Sequence, residues 1–218
     1  MKKIILLLYF TTFLFSFEIT PITSTIVSIT KNRAKIDKEI EKGVSGYIID
    51  KNQIIGKVIS NGDKSVTFLP FTKLKNSGLA TPIIIPKIGN KIIFKLYYDR
   101  ALIIAPTQNL YLKTKKNYPN INFLSSDLFA SYFATKPNKK EFQQFCKTFN
   151  VGIIIFNLDR QFIVDCESFQ ILDSKFIKSE KFSKPFFVNY DKFNTTLFRT
   201  EPNNWIKYYN SILKESNE

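Results

Sequence analysis

Three features of this sequence predict an α+β fold. Residues 22–105 are rich in β-branched runs broken by Gly and Asn turns, helical and strand patterns alternate after Pro106, and the C-terminal end carries an amphipathic stripe. The expected architecture is a β-rich small barrel or sandwich over residues 17–105. A small α/β layer over residues 106–218 follows, closed by a C-terminal helix that clasps the body.

The strands come first. Residues 44–49 and 53–60 are β-branched runs parted by Asp50, Lys51 and Asn52. Asn61, Gly62 and Asp63 supply the next turn, because Asn and Gly tolerate the positive φ of a tight hairpin. Residues 65–69 form the following strand until Pro70 withholds a ladder donor. Gly89 and Asn90 turn the chain into a strand over 91–98, and Asp99 and Arg100 turn it into another over 101–105. Gly43, Gly46 and Gly56 stand where such a sheet can bend.

Beyond Pro106, Thr107 caps a helix that runs to Tyr118 and is stopped by Pro119. Residues 121–124 are a short strand, and Ser126 caps a second helix. Asn138 and Glu141 have capping-box spacing, and Phe142, Phe145, Cys146 and Phe149 fall at i, i+3, i+4 and i+7 of a third. Residues 151–156 read as a strand buried on both faces, with 161–165 and 169–172 beside it and a further short strand at 186–190. Trp205, Tyr208, Tyr209 and Ile212 share one face of the terminal helix, capped by Asn203 or Asn204.

The first residues follow the order of a secretory signal peptide. Lys2 and Lys3 precede an apolar run from Ile4 that resumes at Phe13, Leu14 and Phe15, and the small Ser16 follows. Residues 1–16 are therefore expected to direct export, to the periplasm or to the outer membrane and cell surface. The apolar run is too short to span a hydrocarbon layer of about 30 Å, so no stable membrane span is expected after cleavage. The net charge of +14 would point to nucleic acid in a cytoplasmic protein. Here 28 of the 32 basic residues are lysine, whereas base reading favours arginine, and export separates the chain from nucleic acid. Another protein or an anionic envelope polymer is the expected partner.

The chain contains no histidine. That removes the usual general base of serine and cysteine hydrolases and the commonest metal ligand. No cofactor and no catalytic residue are expected. Cys146 and Cys166 make a poor zinc site without imidazole. In an oxidising compartment they either pair, with a loop-closure stabilisation of roughly 3 kcal/mol, or lie apart as core thiols. Asp159, Asp165, Glu167 and Asp173 cluster in sequence. Asp159, Asp165 and Glu167 are the candidates for a metal or an acid–base pair, with turn and edge chemistry as the competing explanation. Asp127 offsets a helix dipole. Tyr47, Tyr97, Tyr98, Trp205, Tyr208 and Tyr209 form either an aromatic contact surface or core. Tyr97 and Tyr98, with Lys214, are the binding candidates.

Several stretches together carry a family resemblance. They are Ser45-Gly46-Tyr47-Ile48-Ile49, Lys57-Val58-Ile59, Leu96-Tyr97-Tyr98-Asp99-Arg100-Ala101-Leu102-Ile103-Ile104-Ala105-Pro106 and Asn204-Trp205-Ile206-Lys207-Tyr208-Tyr209. With them the chain resembles, over nearly its full length, the N-terminal domain family of the plasminogen-binding protein PgbA of Helicobacter and Campylobacter-like bacteria. The resemblance implies surface display and capture of host plasminogen through lysine-binding kringles, which typically accept a C-terminal lysine. This sequence ends Lys214-Glu215-Ser216-Asn217-Glu218, so an internal lysine beside a carboxylate, Lys38-Glu39 or Lys214-Glu215, would have to stand in. The expectation is an exported, non-enzymatic envelope or surface protein that binds another macromolecule. The alternatives are a periplasmic structural or assembly protein, and a carboxylate- or metal-dependent hydrolase using Asp159, Asp165 or Glu167.

Overall fold

The computed structural model describes residues 17–69, 85–133, 136–178, 180–190 and 201–214; the expected signal peptide lies outside them. Six strands close into a barrel: β1 (Ile22–Thr30), β2 (Arg33–Ile36), β3 (Ser45–Asp50), β4 (Gln53–Gly62), β5 (Ser65–Phe68) and β6 (Lys91–Phe94). Their order is β1-β2-β5-β4-β3-β6, and β6 pairs back onto β1. Closure leaves no open edge, which settles the choice between barrel and sandwich. Alternation is clearest in β2, where Ala34 and Ile36 point in and Arg33 and Lys35 point out. The interior is filled by Ile26, Val44, Ile48, Val58, Val66, Ile92 and Phe94. At Gly46 a Cβ would stand 2.8 Å from Ile92 Cγ2 and Phe94 Cδ1, so glycine makes room for the phenyl ring.

The hairpins differ in one detail from the sequence expectation. Of the two hairpin turns expected between residues 50 and 63, Lys51 and Asn52 form the first, at φ 44° and 65°. The second is made by Asp63 and Lys64, not by Asn61 and Gly62, because the register shifts between Ser60 and Gly62. Asn61 works as a strand residue. Its Nδ2 donates to Ser65 Oγ (3.0 Å) and its Oδ1 accepts from Thr67 Oγ1 (2.9 Å).

The second layer holds β7 (Arg100–Ile104), α1 (Gln108–Asn117), β8 (Asn122–Leu124), α2 (Ser126–Tyr132), α3 (Lys139–Phe149), β9 (Ile153–Asn157), β10 (Arg160–Asp165), β11 (Ile171–Phe176) and α4 (Trp205–Lys214). Its sheet runs β11-β10-β9-β7-β8, with β7 parallel to β8 and β9 and the rest antiparallel. The strand at 101–105, expected with the β-rich part, thus sits inside the second sheet. Ala101, Leu102, Ile103 and Ile104 are all buried. Burial on both faces suits a central parallel strand and not a barrel strand with one wet face. The run expected over 91–98 stops at Phe94, where Lys95 turns the chain at φ 58°. Residues 186–190 form no strand: Phe186 N donates to Ala105 O, and Val188 N to Asp127 Oδ1. The strand expected to begin at 169 begins at Ile171, since Phe169 lies in a turn at φ 60°.

The helix ends follow local chemistry. Thr107 Oγ1 accepts from Leu110 N, Asn138 and Glu141 bond reciprocally, and Asn204 Oδ1 accepts from Lys207 N. Ser125, rather than Ser126, caps α2. One sheet face, with Leu102, Ile104, Ile154, Phe156 and Val164, packs on Phe129, Phe142, Phe145, Trp205 and Tyr209 of α2, α3 and α4. The other face, with Ala101, Ile153, Ile155 and Ile163, shares a core with the barrel. Among the described residues no helix is long and apolar enough to cross a membrane.

Candidate functional site

The seam between barrel and sheet is built on one carboxylate. Asp165, the last residue of β10, is 0% exposed. Its Oδ2 accepts from Ser45 N (3.1 Å), Ser45 Oγ (2.6 Å) and Tyr98 OH (2.6 Å), and its Oδ1 from Glu167 N (2.9 Å) and Ser168 N (2.7 Å). A single side chain therefore fastens the start of β3, the turn after β6 and the turn after β10. Burial pushes the Asp165 carboxyl above the usual range, and the hydrogen bonds from Ser168, Ser45 and Tyr98 hold that rise back. Burial, and then the charge of Asp165, keeps the Tyr98 hydroxyl protonated far above ordinary pH.

In front of this anchor lies a cleft of about 220 Å³, walled by Tyr47, Lys57, Tyr97, Lys147, Asn150 and Glu167. Tyr47 and Tyr97 meet edge to face at 5.1 Å, and Lys57 Nζ stands 5.4 Å from the Tyr47 ring centroid. Lys57 also forms an ion pair with Glu167, reaching Oε2 at 3.1 Å. Burial first, then the Glu167 charge, pushes the Tyr47 phenol up. Cys146 and Cys166 are joined in a disulfide and line the same cleft, tying α3 to the turn that carries Glu167. Aromatic faces, a lysine and a paired carboxylate give this surface the composition of a recognition site.

The residues singled out from sequence divide sharply. Tyr97, Glu167, Cys146 and Cys166 line the cleft, with Asp165 directly behind it. Tyr98 also borders the cleft, but it is only 1% exposed and its hydroxyl is spent on Asp165, so it backs the wall that Tyr97 presents. Lys214 is exposed at the end of α4, on the sheet face away from the barrel. Asp159 lies at the opposite end of β10 from Asp165, bonded to Arg160 N and Asn210 Nδ2. The three acids therefore do not meet, and among the described residues no group of three acids or cysteines is placed to hold a metal ion. Trp205 and Tyr209 are core, not surface. Sequence reading missed Ser45, Lys57, Lys147 and Asn150. Lys57 had a signal in principle, because it stands directly across the β3–β4 hairpin from Tyr47.

Comparison with known proteins places this architecture. The family described as plasminogen-binding protein pgbA N-terminal matches residues 21–213. Two proteins named plasminogen-binding protein PgbA, from Helicobacter pylori strains J99 and 26695, are 29% and 28% identical to the chain over 182 residues. The match covers 79% of this chain and 40% of each relative, so the chain spans about two-fifths of their length. No solved structure matches. With nearly all of the barrel, the sheet and the terminal helix inside the matched region, the chain belongs to the PgbA N-terminal family.

Proposed function

We propose that this chain is the folded head of an exported envelope protein that acts by binding another protein, with host plasminogen the first candidate. The observation that carries a binding role is the engagement of each acid a hydrolytic site would need. Asp165 is buried under five donors, Glu167 is held by Lys57, and Asp159 sits at the far end of β10. The cleft beside them offers aromatic edges and paired charge, which serve contact better than chemistry. Export is supported by the pattern of residues 1–16 and by the disulfide, which suits an oxidising compartment.

Plasminogen enters through the names of the relatives. A lysine-directed partner needs an exposed lysine beside a carboxylate, and Lys38 with Glu39 supplies one. Their loop is held in place: Asp37 Oδ1 accepts from Ser24 Oγ (2.6 Å) and Thr25 N (2.8 Å), and Lys38 N donates to Ser24 Oγ (3.3 Å). The other pair, Lys214 and Glu215, lies partly outside the described residues.

The test is capture from plasma on the immobilised chain, with and without a free lysine analogue. Plasminogen should appear in the eluate, be displaced by the analogue, and be retained less by Lys38→Ala. An eluate without plasminogen refutes that partner, and capture indifferent to the analogue refutes the lysine-directed mode. Protease treatment of intact cells separates surface display from residence in the periplasm.

A further inference from the structure

We infer that the open edge of β11 pairs with β11 of a second copy, joining two five-stranded sheets across a twofold axis at Ser174. The barrel has no free edge. The sheet ends in β11 on one side and, on the other, in β8, which is only three residues long. Among the described residues no strand lies beyond β11. Such an edge is a template for another strand unless its side chains prevent pairing. At its end Phe176 is 82% exposed, an apolar ring set beside unpaired backbone.

The hairpin between β9 and β10 fixes which backbone groups face outward. Leu158 N donates to Arg160 O (2.9 Å), so Arg160 turns its polar backbone toward β9. Antiparallel ladders alternate, so Gln161 and Ile163 turn theirs toward β11, where Lys175 and Asp173 stand opposite them. Ser174 and Phe176 are left to face the open side. The Ser174 amide agrees, since its N–H donates to the carboxylate of Asp173 on its own strand (2.8 Å).

The side chains decide the occupant. The strand and the residue after it read Ile171-Leu172-Asp173-Ser174-Lys175-Phe176-Ile177: two apolar residues, an acid, a serine, a base and two apolar residues. Laid antiparallel on itself about Ser174, this segment sets Asp173 of each copy opposite Lys175 of the other. Phe176 reaches the Ile171–Leu172 end of the other strand. Asp173 and Lys175 share one sheet face, because they stand opposite Ile163 and Gln161, two residues apart. They meet in the closer, non-hydrogen-bonded pairs, while Ser174 meets its copy in a hydrogen-bonded pair. Moving the axis one residue either way sets Asp173 against Asp173 or Lys175 against Lys175, and like charges directly opposite destabilise. A lone charge on an edge discourages pairing. Opposite charges placed evenly about one residue select a single register.

The strand is already held in shape. The Arg160 guanidinium carbon lies 4.2 Å from the Phe176 ring centroid, and its Nη2 donates to Ser174 Oγ (3.2 Å). Lys175 gives one N–H to Tyr118 OH (2.9 Å), and its ammonium has others for a facing carboxylate. Little ordering cost therefore falls on the pairing itself. Two six-residue strands still make a small contact, so the dimer belongs to the weak class.

The test is sedimentation equilibrium of the chain between about 1 μM and about 1 mM, the range of a weak contact. The mass should rise with concentration from that of one chain toward that of two. Asp173→Lys and Lys175→Asp, each alone, put like charges opposite and should weaken self-association by about tenfold or more. An equimolar mixture of the two variants restores an acid opposite each base and should associate as wild type does, which a misfolded variant could not achieve. A chain that stays monomeric at the highest concentration would overturn the pairing. So would self-association undiminished in both single variants, or a mixture no tighter than the variants apart.

Discussion

Replacing Asp165 by Asn tests whether one carboxylate holds the barrel to the sheet. Asparagine keeps a single carbonyl oxygen, and its amide end must face either Ser45 and Tyr98 or the backbone N–H groups of Glu167 and Ser168. The two hydroxyls can rotate to accept from the amide, but a backbone N–H cannot. The better orientation therefore leaves Ser45 N without an acceptor, at about 1–3 kcal/mol for a buried orphan donor. The surviving bonds also lose their charge assistance, while the cost of burying an ionised group disappears. The net expectation is a loss of about 2–4 kcal/mol, within the range for a broken buried network. It should be read as a lower urea midpoint at unchanged slope. The pH dependence fixes the sign. Burial raises the native carboxyl above its unfolded value near 3.9, so the folded state holds the proton more tightly between those two values. Wild-type stability should fall as pH rises through that window, and the gap to the Asn variant should narrow. Equal stability at neutral pH would refute the anchor; a gap that widens with pH would show that the donors outweigh burial.

Removing the disulfide as Cys146→Ser with Cys166→Ser, across a sequence separation of 20, should cost about 3 kcal/mol on chain-entropy grounds. In a chain of this size that lowers the melting temperature by roughly 6–12 °C, readable by calorimetry. In Gly152→Ala the new Cβ would stand 2.2 Å from Tyr97 O and 2.4 Å from its carbonyl carbon. Backbone cannot yield as a side-chain tip can, so a loss above about 4 kcal/mol and little soluble protein are expected; a normal melt would contradict the packing. Lys57→Ala removes a half-buried pair near the surface and should shift the unfolding midpoint by less than about 1 kcal/mol.

What the sequence made legible was what neighbours in the chain decide. The Asn138–Glu141 capping box, the Thr107 and Asn204 caps and the buried strand after Gly152 needed no distant partner. The Asp63–Lys64 turn was hidden because the bulge before it depends on Asn61 meeting Ser65 and Thr67 across the hairpin. Residues 186–190 look β-prone, yet their backbone is taken by Ala105 O and the Asp127 carboxylate, which no local pattern reveals. The place of β7 was open to reading, since its continuous apolar run on both faces already argued against a barrel wall. At the seam, Asp165 and Glu167 stood out as acids. Their roles were set by Ser45 and Lys57, 120 and 110 residues away.

Those long-range bonds converge on six consecutive residues, and the convergence bears on how the cleft can work. Asp165 is fixed by its five donors, Cys166 by the disulfide, and Glu167 by Lys57 and, through its carbonyl, by Gln143 Nε2 at 2.7 Å. Ser168 Oγ donates to Gly43 O, the Phe169 ring is fully buried, and Gln170 fills the space a side chain at Gly43 would need. A junction tied at each residue leaves no hinge between barrel and sheet. The Tyr47–Tyr97 cleft is then present before any partner arrives, and a partner gains its affinity from fit without an ordering cost at this turn. Amide exchange at Ser45, Glu167 and Ser168 should accordingly be as slow as in β9; exchange at loop rates would mean that the seam opens and the cleft is assembled only on binding.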